Sequence, residues 1–177
     1  MNIKVRLITT LIYPLGDAVA QLILQEFSLR RFLSLTFLAL AFYQWEIPKW
    51  FKLLDTIVVP AHKISIMPMA GTVLTKEYKL NWFGRTLGAM IYFNPLWIAR
   101  HMLFISLGKS SWGLINFNEL VLSSLTLGVK SFLVNLPISI AGNYIVQAKL
   151  KLEYRFLGSV ILTSLLTICY AMAHYFL

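Results

Sequence analysis

Acidic residues and cysteine are scarce in this chain. Seven aspartate and glutamate residues stand against 16 lysine and arginine residues, and one cysteine, Cys169, occurs among the 177 residues. A single cysteine excludes a disulfide framework and a cysteine-based metal site within the chain. Charged residues make up only 13%, whereas 58% of the residues are hydrophobic and the mean hydropathy is +0.71. This composition is typical of polytopic membrane proteins rather than of soluble globular domains.

Motifs that carry catalysis are missing as well. The three histidines have no carboxylate or cysteine at metal-ligand spacing, and neither a nucleophile elbow nor a pair of catalytic carboxylates occurs. We therefore expect a protein that is not an enzyme and that has no cofactor and no metal ion. The net charge of +9 does not indicate a nucleic-acid partner, because the basic residues lie in short segments between apolar runs.

Five long apolar segments predict an all-α integral membrane protein with about five transmembrane helices. They cover residues 5–25, 29–47, 86–107, 119–147 and 156–177. Each is close to the roughly 20 residues that a helix needs to cross a bilayer, and the runs do not alternate as strands do. We expect a single transmembrane domain over residues 1–177. Residues 48–85 are expected to form an interfacial connection, because aromatic and aliphatic residues alternate there with lysines.

The distribution of basic residues predicts the orientation of these spans. With the N-terminus inside, eleven bases lie on the inner side, namely Lys4, Arg6, Lys49, Lys52, Lys63, Lys76, Lys79, Arg85, Lys149, Lys151 and Arg155. Three lie on the outer side, namely Arg30, Arg31 and Lys109. This bias follows the positive-inside rule and places the C-terminus outside after five spans. The expected location is a bacterial cytoplasmic membrane or the mitochondrial inner membrane.

Two charged residues are predicted to lie near the middle of apolar segments. Asp17 interrupts the first segment, and the helix rise predicts a position near the centre of a hydrocarbon layer about 30 Å thick. Lys130 is predicted at a matching depth in the fourth segment. Because a pair lowers the cost of burying each charge, we expect an Asp17–Lys130 contact. That contact is either a gate on a solute path or a structural clamp between two helices.

Further polar residues are candidates for the lining of a path between the helices. Four amides are expected to serve as polar lining or as interhelical contacts, namely Gln21, Asn135, Asn143 and Gln147. Arg100 lies in the outer half of the third segment, and its side chain is expected to extend outward or to meet Glu26 or Glu119.

A short internal repeat accompanies these amides. Gly16-Asp17-x-x-x-Gln21 is echoed by Gly142-Asn143-x-x-x-Gln147, and an Arg-Phe-Leu sequence follows each at residues 31–33 and 155–157. With the predicted orientation, the first and last helical hairpins are inverted relative to each other. Inverted repeats are common in transporters, whose sites lie near the midplane. Chance similarity within apolar sequence is the alternative explanation.

The same residues resemble a known family. Gly16-Asp-Ala-Val-Ala-Gln21, then Arg31, then Trp50-Phe-Lys-Leu-Leu-Asp55 resembles the first half of the family of peroxisomal membrane channels and mitochondrial inner-membrane proteins linked to mitochondrial DNA depletion. Asn94-Pro-Leu96 and Glu153-Tyr-Arg155 are similar to motifs of its third span and last loop. The chain lacks the family's Trp-x-x-Trp-Pro signature in the fourth span. A bacterial L-alanine exporter family is loosely similar around Asn94-Pro-Leu96.

The resemblance implies a small polytopic protein that acts as a weakly selective channel of unsettled substrate. Together with the polar residues, it predicts a small-solute channel or transporter with a polar seam around the Asp17–Lys130 pair. The alternative is a non-catalytic accessory subunit packed against a larger membrane complex. The expected partners are the lipid bilayer and an unidentified small solute, with a homo-oligomer left open.

Overall fold

Helices form nearly all of the described structure. The computed structural model describes residues 3–57, 65–67, 71–72, 79–109 and 116–176, and the side chains of residues 3–57, 79–108 and 116–170. Eight α-helices occur in this part of the chain: α1 (Ile3–Ile23), α2 (Leu29–Leu38), α3 (Gln44–Thr56), α4 (Trp82–Gly88), α5 (Asn94–Lys109), α6 (Phe117–Val134), α7 (Leu136–Tyr144) and α8 (Leu152–Phe176). The all-helical prediction is confirmed in its main point.

Three π-helical turns continue the α-helices that precede them, so that each of these helices and its π-helical turn form one continuous rod. The first, Ala39–Tyr43, joins α2 to α3, the second, Ala89–Phe93, joins α4 to α5, and the third, Ile145–Lys149, extends α7. Such π-helical turns are rare and are often found at functional sites.

Two short antiparallel strands, β1 (Ser65–Met67) and β2 (Gly71–Thr72), lie between α3 and α4.

The second helical rod is longer than predicted. The apolar segment was expected to end at residue 47, but α3 continues through Pro48 to Thr56. Ile47, Phe51 and Leu54 are all buried. Their spacing of four and three residues is that of the buried face of an amphipathic helix, so the alternation interpreted as interfacial belongs to this face. Residues 58–64, 68–70 and 73–78 of the predicted connection, with Lys63 and Lys76, lie outside the described residues.

The fourth predicted segment is divided in two. Asn135 leaves the helical conformation with φ −92° and ψ 8°, and α7 starts immediately after it. Pro137 explains the break, because proline has no amide hydrogen to donate to the carbonyl of Leu133 and its ring collides with that carbonyl. The side-chain amide of Asn135 donates from Nδ2 to the Ser131 carbonyl at 3.0 Å, and the same carbonyl accepts the Asn135 backbone amide at 3.1 Å.

Close helix contacts hold the bundle together. Helix α1 packs along α8, α5 lies between α2 and α6, and α3 and α7 pack against other parts of α8. A Cβ atom added to Gly16 would lie 2.7 Å from Ser164 Cβ and 2.8 Å from Ser164 Cα, so the α1–α8 contact requires glycine there. The centre of the bundle is aromatic. Trp97 stacks on His101 with ring centroids 5.3 Å apart, and Tyr13 Oη is hydrogen-bonded to His101 Nδ1.

Two described helices are long and apolar enough to cross a membrane. They are Phe117–Val134 and Leu152–Tyr170, with mean hydropathies of 1.3 and 1.4 over those residues. This criterion uses length and composition alone. The larger number of about five spans stays a prediction.

Candidate solute pathway

The sequence made Asp17 the central candidate, and the structure places it in a closed ion-pair network. Its carboxylate accepts two bonds from the Arg31 guanidinium, one from Nε to Oδ2 at 3.0 Å and a second from Nη2 to Oδ1. Gln21 Nε2 donates to the same carboxylate at 2.6 Å. Asp17 is fully buried, and Arg31 is 5% exposed. A bidentate pair of this kind is strong and geometrically specific.

The same network fixes the turn between α1 and α2. The Ser28 backbone amide donates to Gln21 Oε1 at 2.6 Å, so both ends of the Gln21 amide have partners. Gln25 in this turn has a positive φ of 56°, which is uncommon for a residue other than glycine. The side chains of Asp17, Gln21 and Arg31, together with the Ser28 backbone amide, therefore clamp the hairpin and leave no free group of Asp17 or Gln21 for a solute.

The predicted Asp17–Lys130 contact is wrong. Asp17 lies six residues before the end of α1, beside the start of α2, and not at the centre of the helix. Lys130 is exposed on α6, whose buried positions are Ser124, Gly128 and Ser131. The tight turn brings Arg31 back to Asp17, whereas Lys130 faces away from the bundle.

A polar column lies elsewhere, along the rod formed by α6, α7 and the third π-helical turn. Five buried polar residues follow one another at intervals of four, namely Ser131, Asn135, Ser139, Asn143 and Gln147. That spacing puts them on one face. A second column on α8 contains Ser159, Thr163 and Thr167, which are buried as well. Asn94 Nδ2 on α5 donates to Ser139 Oγ at 2.8 Å and links a third helix to these columns.

A small cavity lies where these columns meet α3 and α5. Its polar lining comes from Asn94, Asn143, Gln147, Ser159 and Thr163, and its aromatic lining from Trp50, Phe51, Phe93, Trp97 and Tyr170. Its volume is about 10 Å³. That is close to the smallest space that holds one water molecule, so the cavity is closed to larger solutes in this conformation.

Buried polar atoms without a hydrogen-bond partner gather around this cavity. Four of them belong to residues of its lining: Trp50 Nε1, Trp97 Nε1, Gln147 Oε1 and Tyr170 Oη. A buried polar atom without a partner costs about 1–3 kcal/mol, and most such atoms in folded proteins are paired. These four groups belong to the lining of a space that is just large enough for one water molecule.

Two larger spaces lie next to the cavity and share aromatic side chains with it. The basic pocket, of about 300 Å³, is lined by Arg6, Pro48, Phe51, Lys52, Leu152, Glu153 and Phe156. The lateral groove, of about 550 Å³, lies between α3 and α5 and includes Trp50, Tyr92, Phe93, Glu46, Lys49 and Arg100. Phe51 lines both the basic pocket and the cavity, and Trp50 and Phe93 line both the cavity and the groove.

These aromatic side chains are packed against one another. Trp50 is stacked on Tyr92 and on Phe93, with ring centroids 5.3 and 5.4 Å apart. Phe93 is the last residue of the second π-helical turn, and Trp50 lies on the helix that follows the first. A π-helical turn changes which residues face a neighbouring helix, so the two turns help to aim the rings at each other.

Arg100 has a different partner from the ones expected. Its guanidinium donates from Nη1 and Nη2 to the two carboxylate oxygens of Glu46 at 2.7 and 3.1 Å. The expected contacts with Glu26 or Glu119 are therefore wrong. The side chains of Arg100 and Glu46 are 29% and 40% exposed, at the wall of the lateral groove. An ion pair this open to solvent adds little to stability, and its charges remain accessible from the groove.

A second charge cluster closes the bundle near Gln147. Asp55 accepts from Arg155 at 2.9 Å and from Arg85 at 3.5 Å. Arg85 Nη2 also donates to the Gln147 carbonyl at 3.2 Å, where the third π-helical turn needs a cap. Burial and then the charge of Arg155 lower the pKa of the Arg85 guanidinium, and Asp55 opposes them. Two cations thus share one carboxylate below the cavity.

The structure sorts the predicted site residues into two groups. Asn143 and Gln147 line the cavity. The residues outside the lining are Asp17, Gln21, Lys130, Asn135 and Arg100. Sequence reasoning missed Asn94, Ser159 and Thr163, although the spacing of four residues between Ser159, Thr163 and Thr167 is a signal that can be read in the sequence. It also missed Trp50 and Phe51, which were interpreted as interfacial.

Comparisons of this chain with protein-family models, curated proteins and solved structures find no match. Inference about function therefore rests on the geometry of the cavity, the pocket and the groove, together with the resemblance of the short motifs.

Proposed function

We propose that this chain is an integral membrane protein that conducts a small polar solute through the cavity. The path runs from the basic pocket past Phe51 into the cavity, and past Trp50 and Phe93 into the lateral groove. The observation that carries the proposal is the set of shared linings, because the residues that each larger space shares with the cavity are aromatic. The unpartnered polar atoms of the cavity add a binding position on the way.

The bilayer is the environment that best accounts for the surface. Large apolar side chains such as Ile8, Ile91 and Leu122 are two-thirds exposed, and more such side chains lie along α1, α2, α6 and α8. Contiguous apolar surface of this extent is rare on soluble monomers. Two candidate spans and the resemblance to a family of membrane channels support the same conclusion. About five spans, with the N-terminus inside, belong to this proposal.

In this account the structure is a closed conformation. A solute larger than water must displace Phe51 at one side of the cavity and the Trp50–Phe93 stack at the other. The polar columns then offer hydroxyl and amide groups to the moving solute, as channel and transporter linings do. Asp17 has a structural role here, since it clamps the α1–α2 hairpin and does not face the path.

Solute flux into liposomes tests this path directly. Phe51→Ala removes one of the two barriers in series, and Phe51→Ala combined with Trp50→Ala removes both, so the double variant is expected to raise the flux of a small solute several-fold over the wild type and over Phe51→Ala alone. Phe37→Ala is the matched control, because Phe37 stacks on Phe104 away from the cavity. Equal flux from all four proteins, or none from any well-folded variant, contradicts the proposal.

The exposed position of Lys130 favours a second candidate function, in which the chain is an accessory subunit of a larger membrane complex. This residue is exposed on α6, a candidate span, and Ser123 and Thr126 are exposed along the same helix. A lysine facing lipid at the helix centre costs about 2.5–3.5 kcal/mol on insertion scales, whereas a partner helix with a carboxylate removes that cost. The face of α6 then packs against another membrane protein.

The size of the native complex separates the two functions. In mild detergent, an accessory subunit is expected to migrate within a larger assembly, and Lys130→Leu is expected to release it. Lys151→Leu, which removes an exposed charge at a chain segment between helices, serves as the control. Wild-type protein that migrates alone and supports flux excludes the accessory function.

A further inference from the structure

We infer that the path selects small anions over cations. This inference deepens the proposed function and rests on it, because it names the class of solute that the same cavity conducts. It is argued from the charges at the two larger spaces and from the polar atoms between them.

The basic pocket carries an excess of positive charge. Arg6 and Lys52 face one carboxylate there, that of Glu153. Arg6 lies with its guanidinium carbon 4.6 Å from the centre of the Trp45 ring, and its Nε is buried without a partner. Guanidinium and ammonium groups that line an open pocket attract a carboxylate, phosphate or halide.

The lateral groove, like the basic pocket, has two basic side chains and one carboxylate in its lining. Arg100 and Lys49 face the single carboxylate of Glu46, which Arg100 binds through both oxygens. Lys49 is therefore the basic residue of the groove that the Arg100–Glu46 pair does not neutralise. Clefts lined by one sign of charge raise the local concentration of ions of the opposite sign, so both spaces concentrate anions.

The cavity between them favours the same class. Among the described residues, no charged side chain lines it, and three of its unpartnered groups are able to donate a hydrogen bond: the indole N–H groups of Trp50 and Trp97 and the hydroxyl of Tyr170. The unpartnered Gln147 Oε1 only accepts. An anion accepts hydrogen bonds in place of its water shell, and the two indole groups offer donors alone.

Most carboxylates near the path are bound by arginine. Asp17 is sealed by Arg31 and Gln21 away from the path, and Asp55 lies between Arg85 and Arg155. Arg100 binds Glu46, and Glu153 shares the basic pocket with Arg6 and Lys52. Each of the two larger spaces thus has two basic residues and one carboxylate in its lining.

The reversal potential of purified protein in a planar bilayer, under a tenfold potassium chloride gradient, tests the selectivity. The current through the wild-type protein is expected to reverse at a potential between zero and the equilibrium potential of chloride. The double variant Arg6→Gln, Lys52→Gln is expected to move the reversal toward zero and to lower the chloride-to-potassium permeability ratio several-fold. Arg30→Gln removes a charge at the α1–α2 end of the bundle and is expected to leave the ratio unchanged.

The outcomes separate this inference from the proposed function. A current that reverses at zero or on the potassium side overturns the anion preference and leaves the path intact. A ratio that falls equally in Arg30→Gln shows a general surface-charge effect and also overturns the inference. Well-folded protein without any current overturns the proposed function itself.

Discussion

Two copies of one short motif have opposite surroundings in this molecule. In Gly16-Asp17-x-x-x-Gln21, both ends of the Gln21 amide are hydrogen-bonded, and Asp17 is bound by Arg31. In Gly142-Asn143-x-x-x-Gln147, the Oε1 atom of Gln147 has no partner and the side chain lines a cavity. The first copy closes a hairpin, and the second opens onto the candidate path.

The glycines show what the two copies share. Both pack against α8, Gly16 at Ser164 and Gly142 at Leu162. The polar contacts of the two copies differ because the arginine that follows each copy binds a different carboxylate. Arg31 returns across a tight turn to Asp17, whereas Arg155 reaches Asp55 on α3 and leaves Asn143 bonded to the Ser139 carbonyl. Both glycines thus pack against α8, while the polar groups that follow them have different partners.

The largest effect that this comparison predicts is on the first copy. Asp17→Asn leaves the buried Arg31 guanidinium without its counter-ion, and breaking a buried pair in this way costs about 3–5 kcal/mol. We expect a marked loss of thermal stability in detergent, followed by circular dichroism. Arg31→Gln combined with Asp17→Asn is expected to recover part of the loss. If Asp17→Asn is as stable as the wild type but has lost flux, Asp17 belongs to the path and the comparison fails.

A smaller effect is expected at the two glycines. An alanine at position 16 meets the Cβ, Cα and carbonyl oxygen of Ser164 at 2.7–2.9 Å, and backbone cannot move aside by changing rotamer. Overpacking of this kind costs about 1–3 kcal/mol. Gly142→Ala meets only the Leu162 side chain, which can rotate away, so it should cost less.

Gly88→Ala provides the control for this pair. Its added Cβ lies 3.4 Å from the nearest atom, Leu54 Cδ2, and is expected to change the unfolding temperature little. We predict that the loss of stability decreases in the order Gly16→Ala, Gly142→Ala, Gly88→Ala. A larger loss at Gly142 than at Gly16 would show that the second copy is the more tightly packed one.

The smallest stability effect is expected at Gln147. Its Oε1 makes no hydrogen bond, so Gln147→Leu removes an unsatisfied group and is expected to leave stability unchanged or slightly raised. Flux through the path should nevertheless fall, because the variant places an apolar side chain in the cavity lining. Gln21→Leu is the matched change in the first copy and should lower stability clearly. Equal stability loss in both variants would remove the distinction between the copies.

The sequence was a good guide to the helices and to two residues of the cavity lining. Continuous apolar runs predicted helical rods, and the amides Asn143 and Gln147 were found because polar groups within apolar runs are conspicuous. The Asp17–Arg31 pair was missed because it depends on how tightly the chain turns at residues 24–28, and helix depth alone favoured Lys130. The gating role proposed for Trp50 and Phe51 was missed because an amphipathic face buried in a bundle and one lying on a membrane have the same periodicity.

Cysteine accessibility tests the central claim, that the path follows the second copy and avoids the first. In a Cys169→Ser background, Thr163→Cys places a thiol in the cavity lining, and Ala20→Cys places one in the buried first copy beside Gln21. A small water-soluble thiol reagent added to liposomes is expected to modify Thr163→Cys, faster when Phe51→Ala is present, and to spare Ala20→Cys. Modification of Ala20→Cys at the same rate, with Thr163→Cys unreactive even in Phe51→Ala, would contradict the account.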